Sequence, residues 1–206
     1  MGTITQHDWE GVPMPSDTQT ALRHLRQGNL RFVEGRTANH YSPENRAESL
    51  FGQQPWAVIV GCSDSRVPVE AVFDAGAGEL FVVRTAGHVL AQASLASIRF
   101  AVEKLGAQTV VVLGHEDCGA VAAALAGDAP EWLYPITRHI RINEIDPSRA
   151  PEDADDALLA AAVDEHVRDT VAELREFLDD ISPERSLAHV VGAAYKLASG
   201  EVHWLD

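Results

Sequence analysis

The chain has 206 residues, an apolar fraction of 46% and a formal net charge of −15 at pH 7. This length and apolar fraction suffice for one folded domain with its own core, and they exclude a disordered chain. The acidic surface repels phosphate groups, so we predict no nucleic-acid partner and no binding to an anionic membrane face.

The N-terminal segment lacks the features of a secretory signal. Its sequence, MGTITQHDWEGVPMPSD, has neither a basic region nor an apolar stretch. No uninterrupted apolar run in the chain reaches the roughly 18 residues that cross a bilayer. We therefore expect a cytoplasmic protein, whose two cysteines stay reduced and are either free or bound to a metal.

The first part of the chain predicts an arm followed by two helices. Two prolines favour an extended arm over residues 1–15. Ser16 and Gln19 form a capping-box pattern, which predicts the start of an amphipathic helix and gives an N-terminal arm and helix over 1–35. A second, short helix is predicted over 43–51, with a proline in its first turn.

Apolar runs rich in β-branched residues predict the strands that follow. Unbroken runs of this kind are typical of strands buried on both faces, as in a parallel sheet. The runs are 56–61, 80–83, 109–114 and 188–194, with 201–205 as a candidate edge strand, helical periodicity over 91–105 and 159–178, and a loop at 147–151. This alternation predicts an α/β fold with a mostly parallel central β-sheet flanked by helices, forming one domain over 1–206.

Two of the predicted strands continue into unusual polar residues. The first leads into CSDSR at 62–66, and the third leads into HEDCG at 115–119. Ligands of open α/β sheets collect at the carboxyl ends of the strands, so both cysteines and His115 could converge there.

Cys62, His115 and Cys118 together fit a metal site. His115 and Cys118 are three residues apart, so both can face one ion from a turn, and Cys62 would add a third ligand from the neighbouring strand. Two thiolates and one imidazole favour zinc, and a Cys2His set leaves a fourth position open, as in catalytic sites. The spacing alone leaves two alternatives open: a pair of buried apolar cysteines, and a redox thiol pair.

Asp64 and Arg66 lie close to this candidate site in the sequence. If the extended path continues beyond the strand, their side chains point the same way and can form a bidentate ion pair. Beside a metal-bound water, an ionised Asp64 can only accept a hydrogen bond, and it thereby selects the deprotonated form of that water. The alternative is an ordinary ion pair at a strand end.

Three motifs occur in a distinctive order and spacing. They are CSDSRV at 62–67, GELFVVRTAG at 78–87 and GHEDCGAV at 114–121. The combination resembles the β-class carbonic anhydrases, and the resemblance extends over nearly the whole chain, from the stretch GNLRFVEGR to VVGAAYKLASGEV.

The resemblance implies a zinc ion, Zn2+, on Cys62, His115 and Cys118, with Asp64 and Arg66 as the catalytic pair. The implied reaction is the reversible hydration of carbon dioxide to bicarbonate and a proton by attack of zinc-bound hydroxide. It also implies a homo-oligomer, a dimer or a tetramer, with substrate pockets at the subunit interface. In a closed form known in the family, Asp64 would become a fourth zinc ligand.

The resemblance also implies a substrate pocket. Gln53 matches a glutamine that hydrogen-bonds the substrate oxygen from the partner subunit, and Phe81 matches an aromatic wall. Phe100 stands where many relatives have tyrosine, and Ala86 stands where some have valine. Glu116 departs from the serine or threonine that usually follows the histidine, which alters the expected electrostatics beside the metal.

Two other functions stay compatible with the sequence. Close relatives of this fold hydrolyse carbon disulfide or carbonyl sulfide, and the same zinc chemistry suits those linear molecules. The chain could also be a non-catalytic zinc or redox-thiol protein. Against this last reading, Asp64 and Arg66 add nothing to a structural site, and structural zinc usually takes four protein ligands.

Overall fold

Five strands form one central sheet. The computed structural model describes residues 17–38, 40–142, 155–181 and 188–205, so the predicted arm over 1–15 and the predicted loop at 147–151 lie outside the described residues. The strands are β1 (Ala57–Cys62), β2 (Leu80–Thr85), β3 (Thr109–His115), β4 (His189–Tyr195) and β5 (Val202–Leu205). Their order is β2-β1-β3-β4-β5, and only β5 runs antiparallel to its neighbour. The predicted α/β fold, mostly parallel sheet and edge strand are confirmed.

Both faces of the sheet are covered, which explains the unbroken apolar runs. All residues of β1 and β3 are buried. Successive side chains of a strand point to opposite faces, so Val58 and Val60 join one core cluster while Ala57 and Ile59 join the other. One cluster lies against the helices over 92–104 and 155–181, described below, and the other lies against the N-terminal helix.

The helices predicted from periodicity are present with slightly different ends. They are α1 (Thr18–Val33), α2 (Pro43–Glu48) followed by a 3-10 turn (Ser49–Phe51), α4 (Gln92–Lys104) and α7 (Asp155–Ile181). Three short helices were not predicted, because each is too short or too uniform in its side chains to have an apolar period. They are α3 (Val69–Val72), α5 (Gly119–Ala126) and α6 (Tyr134–Thr137). Among the described residues, no helix has the length and apolar character that a membrane crossing requires.

The start of α1 differs from the capping pattern expected at Ser16. Asp17 is the N-cap residue, and its Oδ1 accepts a hydrogen bond of 2.9 Å from the backbone N–H of Thr20. Aspartate and serine cap helices about equally well, and the capping-box pattern placed the cap one residue too early. Further along α1, Gly28 lies against Phe73, where an added Cβ would approach the Phe73 carbonyl oxygen to 1.9 Å.

Asn29 anchors α1 to the far edge of the fold. Its buried amide donates to the carbonyls of Val72 and Gly200 at 3.2 and 2.8 Å, and its Oδ1 accepts from the N–H of Val202 at 2.9 Å. These bonds tie the N-terminal helix to β5. The proposed extent of the domain, 1–206, stays a prediction.

Candidate metal centre

Cys62, His115 and Cys118 meet at the carboxyl end of the sheet. Cys62 ends β1, His115 ends the neighbouring parallel strand β3, and Cys118 is the N-cap residue of α5. All three are buried, and one candidate ligand atom from each lies within 4.8 Å of the others. The convergence expected from the two strand ends is therefore confirmed.

Hydrogen bonding leaves one nitrogen of His115 free to bind a metal. Its Nδ1 lies 2.7 Å from the carbonyl oxygen of Glu116, and because that oxygen can only accept, Nδ1 is the donor. Nε2 then carries the lone pair. It is buried and has no hydrogen-bond partner among the described residues, since Asp64 Oδ2 is 3.9 Å away. Such an orphaned nitrogen beside two sulfurs fits a bound cation.

A hydrogen bond joins the two thiols. The hydrogen bond from Cys118 lowers the pKa of Cys62 to about 4, and the same interaction raises the pKa of Cys118. A backbone N–H, that of Gly87, also donates to the Cys62 sulfur at 3.3 Å. The pair thus holds one thiolate readily, and the second proton leaves only when a cation offsets the added negative charge.

Asp64 and Arg66 form the predicted bidentate pair. Arg66 Nε lies 3.0 Å from Asp64 Oδ1, and Arg66 Nη2 lies 2.8 Å from Oδ2. The expected reason was wrong, because the chain does not stay extended beyond β1. It turns, with the Asp64 carbonyl accepting from the N–H of Val67 at 3.1 Å and Asp64 Oδ1 accepting from the Arg66 N–H at 2.9 Å. The hydrogen bonds from Arg66 lower the pKa of Asp64 to about 2.

Two further residues hold this pair, and sequence reasoning did not assign them this part. The carboxylate of Asp117 accepts from Arg66 Nη1 at 2.9 Å, and its carbonyl accepts from Nη2 at 3.0 Å. On β2, Arg84 donates to the carbonyls of Cys62 and Asp64 at 2.8 and 2.6 Å. Both lie inside the motifs that carry the resemblance, but their partners depend on the turn after β1, which no local pattern predicts.

The carboxylate of Glu116 binds residues that follow β4. It accepts from the N–H of Leu197 at 3.0 Å and pairs with Lys196 at 3.0 Å. It therefore links the end of β3 to the end of β4, and the expected change in electrostatics beside the metal is largely neutralised by Lys196. The backbone of Glu116 meanwhile accepts the hydrogen bond from His115.

The predicted pocket residues do not all approach the triad of their own chain. Ala86 does, because it precedes Gly87, whose N–H contacts Cys62. Phe81 and Phe100 meet each other, with ring centroids 6.4 Å apart, but Phe81 is in register with Val58, four residues or about 13 Å before Cys62.

Gln53 lies still further from the triad. It precedes β1, and its neighbour Gln54 bonds to Gly78 just before β2. The strand Ala57–Cys62 alone separates it from the metal site by about 17 Å. Within one chain, Gln53 and the triad therefore stand at opposite ends of the sheet.

Taken together, the fold and the site define an α/β protein with a buried cluster of two cysteines and one histidine at the carboxyl end of its sheet. A family model described as carbonic anhydrase matches residues 57–202. Carbonic anhydrase 2 of Mycobacterium tuberculosis is 43% identical over 197 residues, 91% of this chain and 93% of that protein. The chain belongs to the β-class carbonic anhydrase family, and Cys62, His115 and Cys118 are the cysteine–histidine–cysteine cluster typical of its zinc site.

Solved structures agree with this assignment. A β-carbonic anhydrase of Aspergillus fumigatus matches with a TM-score of 0.71 at 27% identity, over 91% of this chain and 90% of that one. One of two tetrameric β-carbonic anhydrases from Sordaria macrospora matches with a TM-score of 0.68 at 25% identity, over 91% of this chain and 98% of that one.

Proposed function

We propose that this protein catalyses the reversible hydration of carbon dioxide to bicarbonate and a proton, with zinc held by Cys62, His115 and Cys118. The observation that carries the proposal is the buried Nε2 of His115, which has no hydrogen-bond partner in the described parts of the chain. It faces two thiols, beside a carboxylate that Arg66 keeps ionised. Family membership supports the same activity.

The donor set suits zinc and a catalytic rather than a structural site. Two thiolates and one imidazole select a borderline-soft ion over magnesium or calcium, and three protein ligands leave one tetrahedral position open. When bound, zinc supplies a Lewis acid that lowers the pKa of a coordinated water. The backbone carbonyl of Glu116 accepts the hydrogen of His115 Nδ1, which fixes the tautomer and leaves Nε2 available as a ligand.

Asp64 orients the attacking oxygen in this proposal. Because it is ionised, its carboxylate can only accept a hydrogen bond, so an O–H of the nucleophile turns toward it and a lone pair turns toward the substrate carbon. Arg66 holds the carboxylate through two N–H donors, and Asp117 and Arg84 hold the turn from which both side chains project. The proton released in the reaction leaves to solvent, because Arg66 keeps Asp64 ionised.

The substrate pocket is proposed to be shared between subunits. Gln53, Phe81 and Phe100 lie toward the amino ends of β1 and β2, far from the triad of the same chain. A second copy that brings this end of its sheet to the triad would complete the pocket, as a dimer or a tetramer. The Sordaria relative is tetrameric, which supports the proposal. A cytoplasmic location stays a prediction.

Metal analysis combined with stopped-flow hydration of carbon dioxide tests the function. The purified protein should carry about one zinc per chain and accelerate hydration. Protein that binds zinc but leaves the hydration rate at the buffer level would favour the non-catalytic alternative. Protein that binds no zinc and cycles between dithiol and disulfide would favour the redox alternative.

A further inference from the structure

A buried histidine on α7, His166, is linked to the sulfur of Cys62 by two hydrogen bonds through the backbone of Gly87. His166 is only 2% exposed, and its Nε2 lies 2.9 Å from the carbonyl oxygen of Gly87. The N–H of the same glycine lies 3.3 Å from the sulfur of Cys62. The two hydrogen bonds form a continuous link from the helix to the candidate zinc ligand.

The protonation of His166 follows from its partners. A carbonyl oxygen only accepts, so Nε2 carries the hydrogen, and Nδ1 is the acceptor for the N–H of Arg141 at 3.4 Å. Burial lowers the pKa of His166, which keeps the ring neutral. A neutral imidazole has one donor and one acceptor, and this site uses both.

The surroundings hold the imidazole and the glycine rigidly. His88 stacks on His166 with ring centroids 4.4 Å apart and planes inclined by 24°. His88 is itself buried, and neither of its ring nitrogens has a partner among the described residues, so it does not compete for the hydrogen of His166. Gly87 has a φ of 63°, and an added Cβ would lie 3.0 Å from the Cβ of Ala120.

We propose that His166 is a positioning residue for Cys62: it holds Gly87 so that the glycine N–H stays directed at the ligand sulfur. The inference rests on the proposed function, since it concerns how this thiolate serves zinc. A hydrogen bond to a metal-bound thiolate withdraws electron density from the sulfur, and outer partners of this kind orient ligands and tune the metal. Weaker donation by Cys62 leaves the metal a stronger acid. Loss of the His166 hydrogen bond therefore raises the pH at which hydration reaches half its maximum.

A matched pair of variants isolates the hydrogen bond. His166→Gln keeps an N–H donor at nearly the position of Nε2, whereas His166→Met has a similar size and no donor. In cobalt-substituted protein, His166→Met should move the sulfur-to-cobalt charge-transfer band to longer wavelength, because the Cys62 thiolate becomes more electron-rich. Its zinc affinity, measured against a competing chelator, should fall about 10-fold, because Cys62 is less well oriented toward the metal. His166→Gln should resemble the wild type in both measurements.

Two controls separate this role from general packing. Val171→Ala, a buried change on the same helix, should lower the unfolding temperature and leave the cobalt band unmoved. Long-range nitrogen–proton NMR of the wild type should find His166 as the Nε2–H tautomer, a measurement that needs no variant to fold.

The outcomes distinguish this inference from the proposed function. An Nδ1–H tautomer, a His166→Met cobalt band like that of the wild type, or a His166→Gln band displaced as far as that of His166→Met would each overturn the inference. If that happens in a wild type that binds zinc and hydrates carbon dioxide, the proposed function stands. A wild type without zinc removes both.

Discussion

Replacing Asp64 with asparagine separates the two roles of its carboxylate. The change keeps the size of the side chain but removes its charge and exchanges one acceptor oxygen for an amide N–H donor. Arg66 and the attacking oxygen then compete for the single acceptor that remains. Arg66 retains a partner, because Asp117 also accepts from its guanidinium at 2.9 Å. We therefore expect a large loss of activity with a small loss of stability.

The pKa of Asp64 and the exposure of Arg66 set the loss of stability expected for Asp64→Asn. Hydrogen bonds from Arg66 lower the pKa of Asp64 from 3.8 to about 2, so the ion pair contributes fully above pH 4 and its contribution is lost as the pH falls toward 2. The Arg66 side chain is 48% exposed, so solvent screens the pair. The free energy of unfolding should fall by at most about 1 kcal/mol, which lowers the unfolding temperature by about 2–4 °C. In the variant, stability should also depend less on pH in that acid range.

The loss of hydration activity in Asp64→Asn should be much larger than its loss of stability. A group that positions or moves a proton in the transition state contributes roughly 10²- to 10⁴-fold, and we expect Asp64→Asn to slow carbon dioxide hydration by about 100-fold or more. The measurement is stopped-flow hydration on protein with verified zinc content. The matched control is Asp117→Asn, whose carboxylate binds the same guanidinium but is 72% exposed. It should keep most of the activity.

Two results would refute this reasoning. If zinc-loaded Asp64→Asn hydrated carbon dioxide at nearly the wild-type rate, Asp64 would have no contact with the nucleophile. If Asp117→Asn lost as much activity as Asp64→Asn, the effect would run through the position of Arg66 rather than through the Asp64 carboxylate.

Four further predictions address the metal, the assembly and the pH response. Cys62→Ala should lose zinc and activity together, and full zinc by atomic absorption would show the ligand assignment to be wrong. Mixed oligomers of Gln53→Ala and Cys62→Ala subunits should regain activity that neither variant has alone, because one site in each hybrid combines an intact Gln53 with an intact Cys62. Hybrids that mass spectrometry confirms but that stay inactive would contradict the shared pocket. Hydration should fall toward low pH, where Asp64 would leave Arg66 and serve as a fourth ligand that would hold the metal in a closed form. A flat profile between about pH 6 and 9 would contradict this expectation. Bicarbonate should inhibit only weakly, because the guanidinium of Arg84, a cation near the site that could bind an anion, already donates to two backbone carbonyls. Strong cooperative inhibition in the same assay would contradict this expectation.

The strands and the metal triad could be predicted because their signals are local. A run of β-branched residues is buried on both faces wherever it stands in a parallel sheet, and the carboxyl ends of neighbouring strands meet by topology alone. The residues at which the strands end were less predictable. β2 and β3 continue to Thr85 and His115, because these polar residues still pair with the adjacent strands.

Contacts between distant segments could not be predicted. Glu116 pairs with Lys196, and His166 bonds to Gly87 across 79 residues of sequence. Neither partner carries a pattern that identifies the other. The Asp64–Arg66 pair was predicted from an extended path, yet it forms through a turn, because an aspartate side chain can accept from a backbone N–H two residues ahead.

The hydrogen bond between Asn29 and Val202 also affects the order in which the chain folds during synthesis. It joins residues 173 positions apart, so α1 leaves the ribosome long before its partner in β5 exists. At about 5–20 residues per second, the interval is roughly 10–35 s. Throughout this time the apolar side of α1, including Leu25, has no completed sheet to cover it. Apolar surface that stays uncovered for this long favours aggregation of the nascent chain until β5 has been made.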